Sequence, residues 1–524
     1  MTRRDLLLLF LLGLAVPLAI AQFQSLPGYM DADYYFGGGL QLASGRGFTE
    51  PYLWNYLDDP AGLPHPSHTY WMPLASIVAA LGMSVGGLTF SAARLPFLLL
   101  AACVPPLTAT LAFSFSQNRA LAFVSGLLAC FPVYYAPFLP VTDNYAIYML
   151  LGASFLLLLS SLTSSGRNLS LRFVVFGLLS GLMTLARSDG LLWLGITFLL
   201  ALWQARQLNP PNPFHFTFYS LRLILFASLG YLLVMGFWYA RNLSLFDSLM
   251  APGTRYALWI TSYNETFAYP PAQVSCENWL AVGVDSALNA RLAALRLNLL
   301  NAFAAQGEIF LFPFIVIGLW QFRRDLRVRI GALAWIGLLL AMTLVFPFAG
   351  PRGAFFHAGA ALQPLWWSLA PLGLDAVIGS ARRRGWFTAQ AFVVFRGALV
   401  ALAFAMTVLL VYIRVIQPGW ESEDGLYVQV ERRLIESGAQ PGDIVIARNP
   451  PGYYVAAGRA AIALPSSGPE SVLAVAARFD ARYLVLEEKG VTGDLRALYD
   501  SPDANPSFEY LGDTDGTKLF EILR

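Results

Sequence analysis

Long apolar runs separated by short polar turns set the pattern of this chain. A helix that crosses a bilayer needs about 20 mainly apolar residues. Runs of that kind fall near residues 5–22, 94–115, 119–140, 144–162, 172–187, 190–205, 221–240, 298–319, 330–348, 354–379 and 389–414. The pattern predicts a mainly α, polytopic membrane fold with about eleven transmembrane helices. Trp71–Gly87 is also apolar, but it is short and interrupted by Gly82, Gly86 and Gly87. It reads as a helix lying in or dipping into the interface.

The short loops test that reading, because cytoplasmic loops collect Lys and Arg. With the N-terminus inside, the inner ends gather Arg3 and Arg4, Arg119, Arg167 and Arg172, and Arg206. They also gather Arg323, Arg324, Arg327 and Arg329, then Arg382, Arg383 and Arg384. A span at Trp71–Gly87 would invert everything after it and place these clusters outside. The opening run ends in Ala19-Ile20-Ala21, which resembles a signal-peptidase site. Retention as a first helix is the preferred reading, because the run begins a series of further spans.

Residues 1–415 thus read as a transmembrane domain, with a first extracytoplasmic loop at 23–93 and a second large one at 241–297. The tail, 416–524, changes character. DIVIA (443–447), AIALP (461–465) and YLVLE (483–487) read as strands, and ESVLAVAARF (470–479) as a helix between two of them. A small extracytoplasmic α/β domain is expected there.

Composition agrees. The 524 residues are 57% hydrophobic and only 13% charged, too few charges to solvate a soluble body of this size. The net charge of +2 gives no sign of nucleic-acid binding. Cys103, Cys130 and Cys276 form no metal or disulfide spacing and read as fillers.

The chemistry-bearing residues cluster at the outer ends of the predicted spans. Asp31 and Asp33 follow the first span, in PGYMDADYY (27–35) with Tyr34 beside them. Either could act as a general base or bind a cation, and either could instead cap a helix beginning near Tyr34. His65 and His68 stand three apart, but Pro66 makes the segment irregular, so interfacial polar residues are favoured over metal ligands. Asp143 opens an apolar helix, where an acid also suits the helix dipole. Arg94, Arg187, Arg241 and Arg352 defy the positive-inside bias and need a reason. Arg187 lies in a tight turn with Asp189, and Arg352 is followed one turn on by His357. Arginine suits phosphate oxygens, so the set favours an anionic lipid substrate.

Five stretches in order carry a resemblance: DADYY (31–35), HPSHTYWMPL (65–74), ARLP (93–96), PVTDN (140–144) and TLARSDG (184–190). Together they resemble the GT-C superfamily of membrane glycosyltransferases, in its protein O-mannosyltransferase, ArnT and Rgt-like branch. The resemblance covers roughly residues 5–205. It departs from the family in the split acidic pair, the stretched His-Pro element, and Ser188 and Asp189 in the arginine turn. It implies a multi-pass enzyme of the plasma (inner) membrane with its active site facing outward. Such an enzyme moves a hexosyl or pentosyl group from a polyprenyl-phosphate donor to a glycan, lipid or protein acceptor, with inversion. Asp31 or Asp33 would be the base, with Asp143 in support. Arg187, Arg241 and Arg352 would hold the donor phosphate, and Tyr34, His65, His68, Asp189 and His357 would line the substrate. A divalent cation stays open as cofactor. The competing readings are a secondary transporter, disfavoured because the candidate acids Asp31, Asp33 and Asp143 sit at outer ends rather than mid-span and no paired half is evident, and a noncatalytic membrane scaffold.

Overall fold

The computed structural model describes residues 1–163, 168–208, 213–491 and 493–523. Arg167, counted above among the inner-loop cations, lies outside the described residues. The chain forms two compact units: one of residues 1–22, 95–249 and 291–417, the other of 23–94, 250–290 and 418–524.

The first unit is helical. Among the described residues of the whole chain, eight helices are long and apolar enough to cross a membrane. They are Arg3–Ala21, Phe90–Ser116, Tyr145–Leu162, Leu169–Ala186, Ser188–Leu208, His215–Phe246, Leu326–Val345 and Ala391–Ile416. Three expected spans differ from a simple long helix. The 119–140 run stops at Cys130, because Pro132 follows and the chain continues as a 3-10 turn over Val133–Phe138. The 298–319 run breaks between Gln306 and Phe312, around Glu308 and Ile309, whose φ angles are positive. The 354–379 run divides into a short helix Ala354–Gly359 and a longer one, Gln363–Arg383.

Outward faces of these helices are apolar. On the long helix from Pro213 to Phe246, Leu221, Leu225, Leu229, Leu232 and Leu233 are exposed at helical spacing. A face like that suits lipid rather than water. Inward faces pack through small residues. A Cβ added to Gly177 would run into the Ala227 carbonyl, and one on Gly230 into that of Val174. Those glycines let two helix backbones touch, as membrane helices commonly do. At one end of the unit, Thr2 and Asp5 form a capping box, and Asp5 takes a two-pronged bond from Arg119 (2.7 and 2.8 Å). The opening helix is thereby tied to the helix Arg119–Cys130.

The second unit joins both large loops to the tail. Its strands are β1 (Thr49–Glu50), β2 (Tyr52–Leu53), β3 (His65–Pro66), β4 (Ile444–Ala447), β5 (Ala461–Ala463), β6 (Ala481–Glu487), β7 (Phe508–Thr514) and β8 (Thr517–Ile522). The strands and helix expected in the tail are β4, β5, β6 and the helix Pro469–Phe479. Six strands make one sheet in the order β2-β5-β4-β6-β8-β7. β2, β5, β4 and β6 run parallel, and the β7–β8 hairpin closes the other side antiparallel. Leu53, Ile446, Ile462, Leu484, Phe479 and Phe520 share its core. The edge strand β2 comes from the first loop, so loop and tail fold as one body. Trp71–Gly87 appears here as the 13-residue helix Leu74–Gly86, which packs against the helix Met30–Ala43.

Candidate functional site

In the first unit, the turn between two membrane helices presents Arg187. The helix Leu169–Ala186 ends as Arg187 turns extended (φ −153°, ψ 140°), and Ser188–Gly190 form a single 3-10 turn. Asp189 holds one edge of the guanidinium, taking bonds from Nε (3.0 Å) and Nη2 (2.7 Å). Tyr148 donates to the other oxygen of Asp189 at 2.6 Å. Nη2 of Arg187 also reaches the Ala354 carbonyl at 3.4 Å, two residues past Arg352. Arg187 is therefore aimed by a carboxylate, itself held by a buried tyrosine, beside the segment that carries Arg352 and His357.

Asp143 and His357 form the second cluster of this unit. Asp143 is buried, and its Oδ2 lies 3.2 Å from His357 Nε2. His357 Nδ1 faces the Gly353 carbonyl at 3.0 Å and the Tyr145 hydroxyl at 3.2 Å, with the Tyr145 ring stacked on it. A carbonyl can only accept, so Nδ1 carries a proton and Nε2 is turned toward the carboxylate. An imidazole anchored through Nδ1–H to a backbone carbonyl, with Nε2 beside a carboxylate, has the donor chemistry of a divalent-cation ligand pair. Two donors do not complete a coordination sphere. Arg241 stands at the end of another helix, with its guanidinium 4.4 Å above the Trp238 ring and bonded to Asn242 at 3.1 Å. Arg352 is exposed, at the end of the turn Gly350–Arg352.

In the second unit, the two acids of the first loop part company. Their helix begins at Met30, after Tyr29, and not near Tyr34. Neither Asp is its cap; both lie in its first turn, where the dipole favours them. Asp31 is half-buried, whereas Asp33 is 1% exposed. Asn449 donates to Asp33 Oδ2 at 3.3 Å. Burial and the nearby Asp424 hold the Asp33 carboxyl well above the usual range, against the pull of Asn449. Asp424 itself is pushed up to about 7 by burial and by Glu421. Arg94 donates to the Gln24 carbonyl at 2.5 Å, bracing the start of the same loop.

The loop histidines sit inside this unit. β1 and β3 pair so that Glu50 lies opposite His65. His65 Nε2 is 3.0 Å from Glu50, and Nδ1 is 3.5 Å from Asp58, all three side chains being buried. Burial alone would push the imidazolium down, but the two carboxylates outweigh it and raise its pKa. Burial raises both Glu50 and Asp58. The backbone N–H of His68 donates to the Tyr34 hydroxyl (2.7 Å), and its ring stands edge-on to the Tyr34 ring.

Sequence reasoning missed Glu50, Tyr145, Tyr148, Asp424 and Asn449. Only Asn449 left a usable signal: Asn449-Pro450-Pro451 after a strand reads as an N-cap with proline at the first helical position.

No family model and no curated protein sequence matches the chain. Solved structures do. The Archaeoglobus fulgidus oligosaccharyltransferase, in complex with Zn and sulfate, is 14% identical, with a TM-score of 0.57 over 97% of this chain and 71% of that one. The archaeal oligosaccharyltransferase AglB from the same organism, in complex with an inhibitory peptide and a dolichol-phosphate, gives 14%, 0.54, 97% and 72%. ArnT from Cupriavidus metallidurans bound to undecaprenyl phosphate gives 11%, 0.56, 99% and 98%. These identities establish architecture alone. In architecture, the chain is a multi-pass membrane protein that shares the fold of these structures.

Proposed function

We propose that this protein is a glycosyltransferase that moves a sugar from a polyprenyl-phosphate donor to an acceptor on the outer face of the membrane. The observation that carries the proposal is the Arg187 turn. A guanidinium oriented by Asp189 and Tyr148 at the end of two membrane helices is suited to a phosphate whose tail stays in lipid. The bound polyprenyl phosphate of ArnT and the dolichol-phosphate of AglB support the same class of donor.

On this reading the acceptor hydroxyl or amine loses its proton to Asp31 and attacks the anomeric carbon. The bond to the phosphate oxygen breaks, and the leaving polyprenyl phosphate carries the negative charge away. Arg187, with Arg352 and Arg241, stabilises that charge as it develops. A direct displacement inverts the anomeric centre. Asp31 is favoured over Asp33 because Asp33 is buried and hydrogen-bonded to Asn449, out of reach of an acceptor. Asp143 and His357 would hold a divalent cation if the enzyme uses one, and the cation would add positive charge near the leaving phosphate. Residues 1–415 would then be the transferase domain and the outward tail an accessory domain.

The test is transfer from a panel of polyprenyl-phosphate sugars by purified protein in detergent, with and without EDTA. Asp31→Asn and Arg187→Ala should each abolish donor consumption while the protein stays folded. Full turnover in either variant would remove its residue from the mechanism, and no donor binding at all would sink the proposal.

A further inference from the structure

The tail of the second unit is a small doubly wound sheet, and its strand order marks where such a sheet binds a ligand. From β4 the chain turns one way, through the helix Pro450–Ala457, to β5. From β6 it turns the other way, toward the β7–β8 hairpin. β4 and β6 are parallel neighbours, so the crevice at their carboxyl ends is the topological switch point, the usual ligand position in open α/β sheets. The residues there are Arg448 and Asn449 after β4 and Glu487 at the end of β6. Arg448 bridges the crevice to Glu487 at 3.0 Å and also pairs with Glu423, while Tyr427 donates to Glu487 at 2.8 Å.

This crevice is filled by the chain itself. The Asp33 carboxyl enters from the first-loop helix Met30–Ala43 and lies against Asn449, at the N-terminus of the helix Pro450–Ala457. That is where a doubly wound fold would hold an anionic ligand. Gly452 makes the approach feasible, since a Cβ there would stand 2.9 Å from Asp33 Oδ2. Asn449 is itself fixed: its amide oxygen caps Gly452 N at 3.1 Å, and its amide nitrogen also reaches Glu423 at 3.3 Å. Asn449 supplies the side-chain hydrogen bond to this carboxyl, on Oδ2, and the Gly28 backbone N–H assists it.

We infer that the tail domain uses its ligand crevice to grip Asp33, and that Asn449 is thereby a positioning residue for Asp31. The two acids are about 200° apart on one helical turn, so a grip on Asp33 fixes the direction in which Asp31 points. This inference rests on the reading of Asp31 as the base. The tail then serves to set a loop helix rather than to bind a ligand of its own.

The test exchanges the partners in the full-length protein. Asn449→Asp removes the amide donor and sets a second carboxyl against Asp33 and Glu423. It should raise hydrogen–deuterium exchange over residues 29–43, leave β4 and β6 protected, and lower kcat about tenfold with donor KM unchanged, as a misaimed base would. Asp33→Asn keeps an accepting oxygen and should hold kcat within about threefold. The double variant Asn449→Asp with Asp33→Asn rebuilds the bond in reverse and should restore both exchange and kcat. Recovery of that kind is not expected if either residue serves only as filler. If Asn449→Asp unfolds the tail, Asn449→Ala is read in the same way. The inference is overturned if exchange over residues 29–43 stays at the wild-type level in both Asn449 variants. It is equally overturned if Asp33→Asn abolishes transfer, which would make Asp33 the base. Wild-type protein that consumes no donor defeats the proposed function, while the exchange measurements still decide the grip.

Discussion

Asp143 Oδ2 and His357 Nε2 are 3.2 Å apart, although 214 positions separate them in the chain. The pair is buried, and Gly353 and Tyr145 fix the far side of the imidazole. Replacing His357 with Ala should lower kcat by about 10- to 100-fold, the usual scale for losing a group that tunes a catalytic or metal site. His357→Gln, which keeps a polar group there, should recover part of the loss. Steady-state transfer with each variant, with and without added divalent cation, checks this. Equal rates for wild type and His357→Ala would remove the pair from the site.

Arg187 is aimed by Asp189, and Asp189 by Tyr148. Tyr148→Phe removes one hydrogen bond and should cost about 1 kcal/mol, so donor affinity should fall about fivefold. Arg187→Lys should bind donor more weakly still, because an ammonium cannot reproduce the planar fork. Binding of a polyprenyl phosphate to protein in detergent measures both. A Tyr148→Phe protein weaker than Arg187→Lys would reverse the assigned order of importance.

The acids around the tail crevice make the second unit sensitive to alkali. Asp424 is held at about 7 in the folded protein, against 3.8 ordinarily. The folded state therefore keeps a proton that the unfolded state has released between those values. Stability falls as pH rises from about 4 through about 7. Asp33 shifts in the same direction. Asp424→Asn should flatten the dependence and raise the unfolding temperature at pH 8. Thermal unfolding of the two proteins at pH 5 and pH 8 tests it, and an unchanged slope would refute it.

His65 lies between two buried carboxylates. His65→Ala would strand both without their cation, and removing one partner of a buried ion pair costs about 3–5 kcal/mol. The second unit should then unfold well below the wild-type temperature. Adding Glu50→Gln should recover part of that loss by removing one stranded charge. Donor KM in the folded fraction should not change, since His65 is enclosed by its own unit. An altered KM with unaltered stability would make His65 a substrate contact.

Much of this was legible in the chain. Membrane helices announce themselves by length and composition, so most expected spans have a helix in place. The tail strands announced themselves because short β-branched runs stand between turn residues, as at Ile444, Val445 and Ile446. The breaks were harder. Glu308 looks like a lone charge in an apolar run, and only the fold shows Trp367 donating to it at 2.8 Å where the helix opens. The partition of Asp31 and Asp33 was invisible for a different reason. The residue that donates to Asp33, Asn449, lies 416 positions away, and no local periodicity encodes a pairing of that range.

The parallel pairing of Tyr52 with Ala461 carries a consequence for synthesis. The edge strand of the sheet is made about four hundred residues before its partner. At roughly 5–20 residues per second, the first loop waits on the order of twenty seconds to over a minute for the strand that receives it. During that interval Tyr52, Leu53 and Tyr56, fully enclosed in the finished protein, lack the cover of β5. A chain that stops before the tail would leave β2 without the strand that pairs with it.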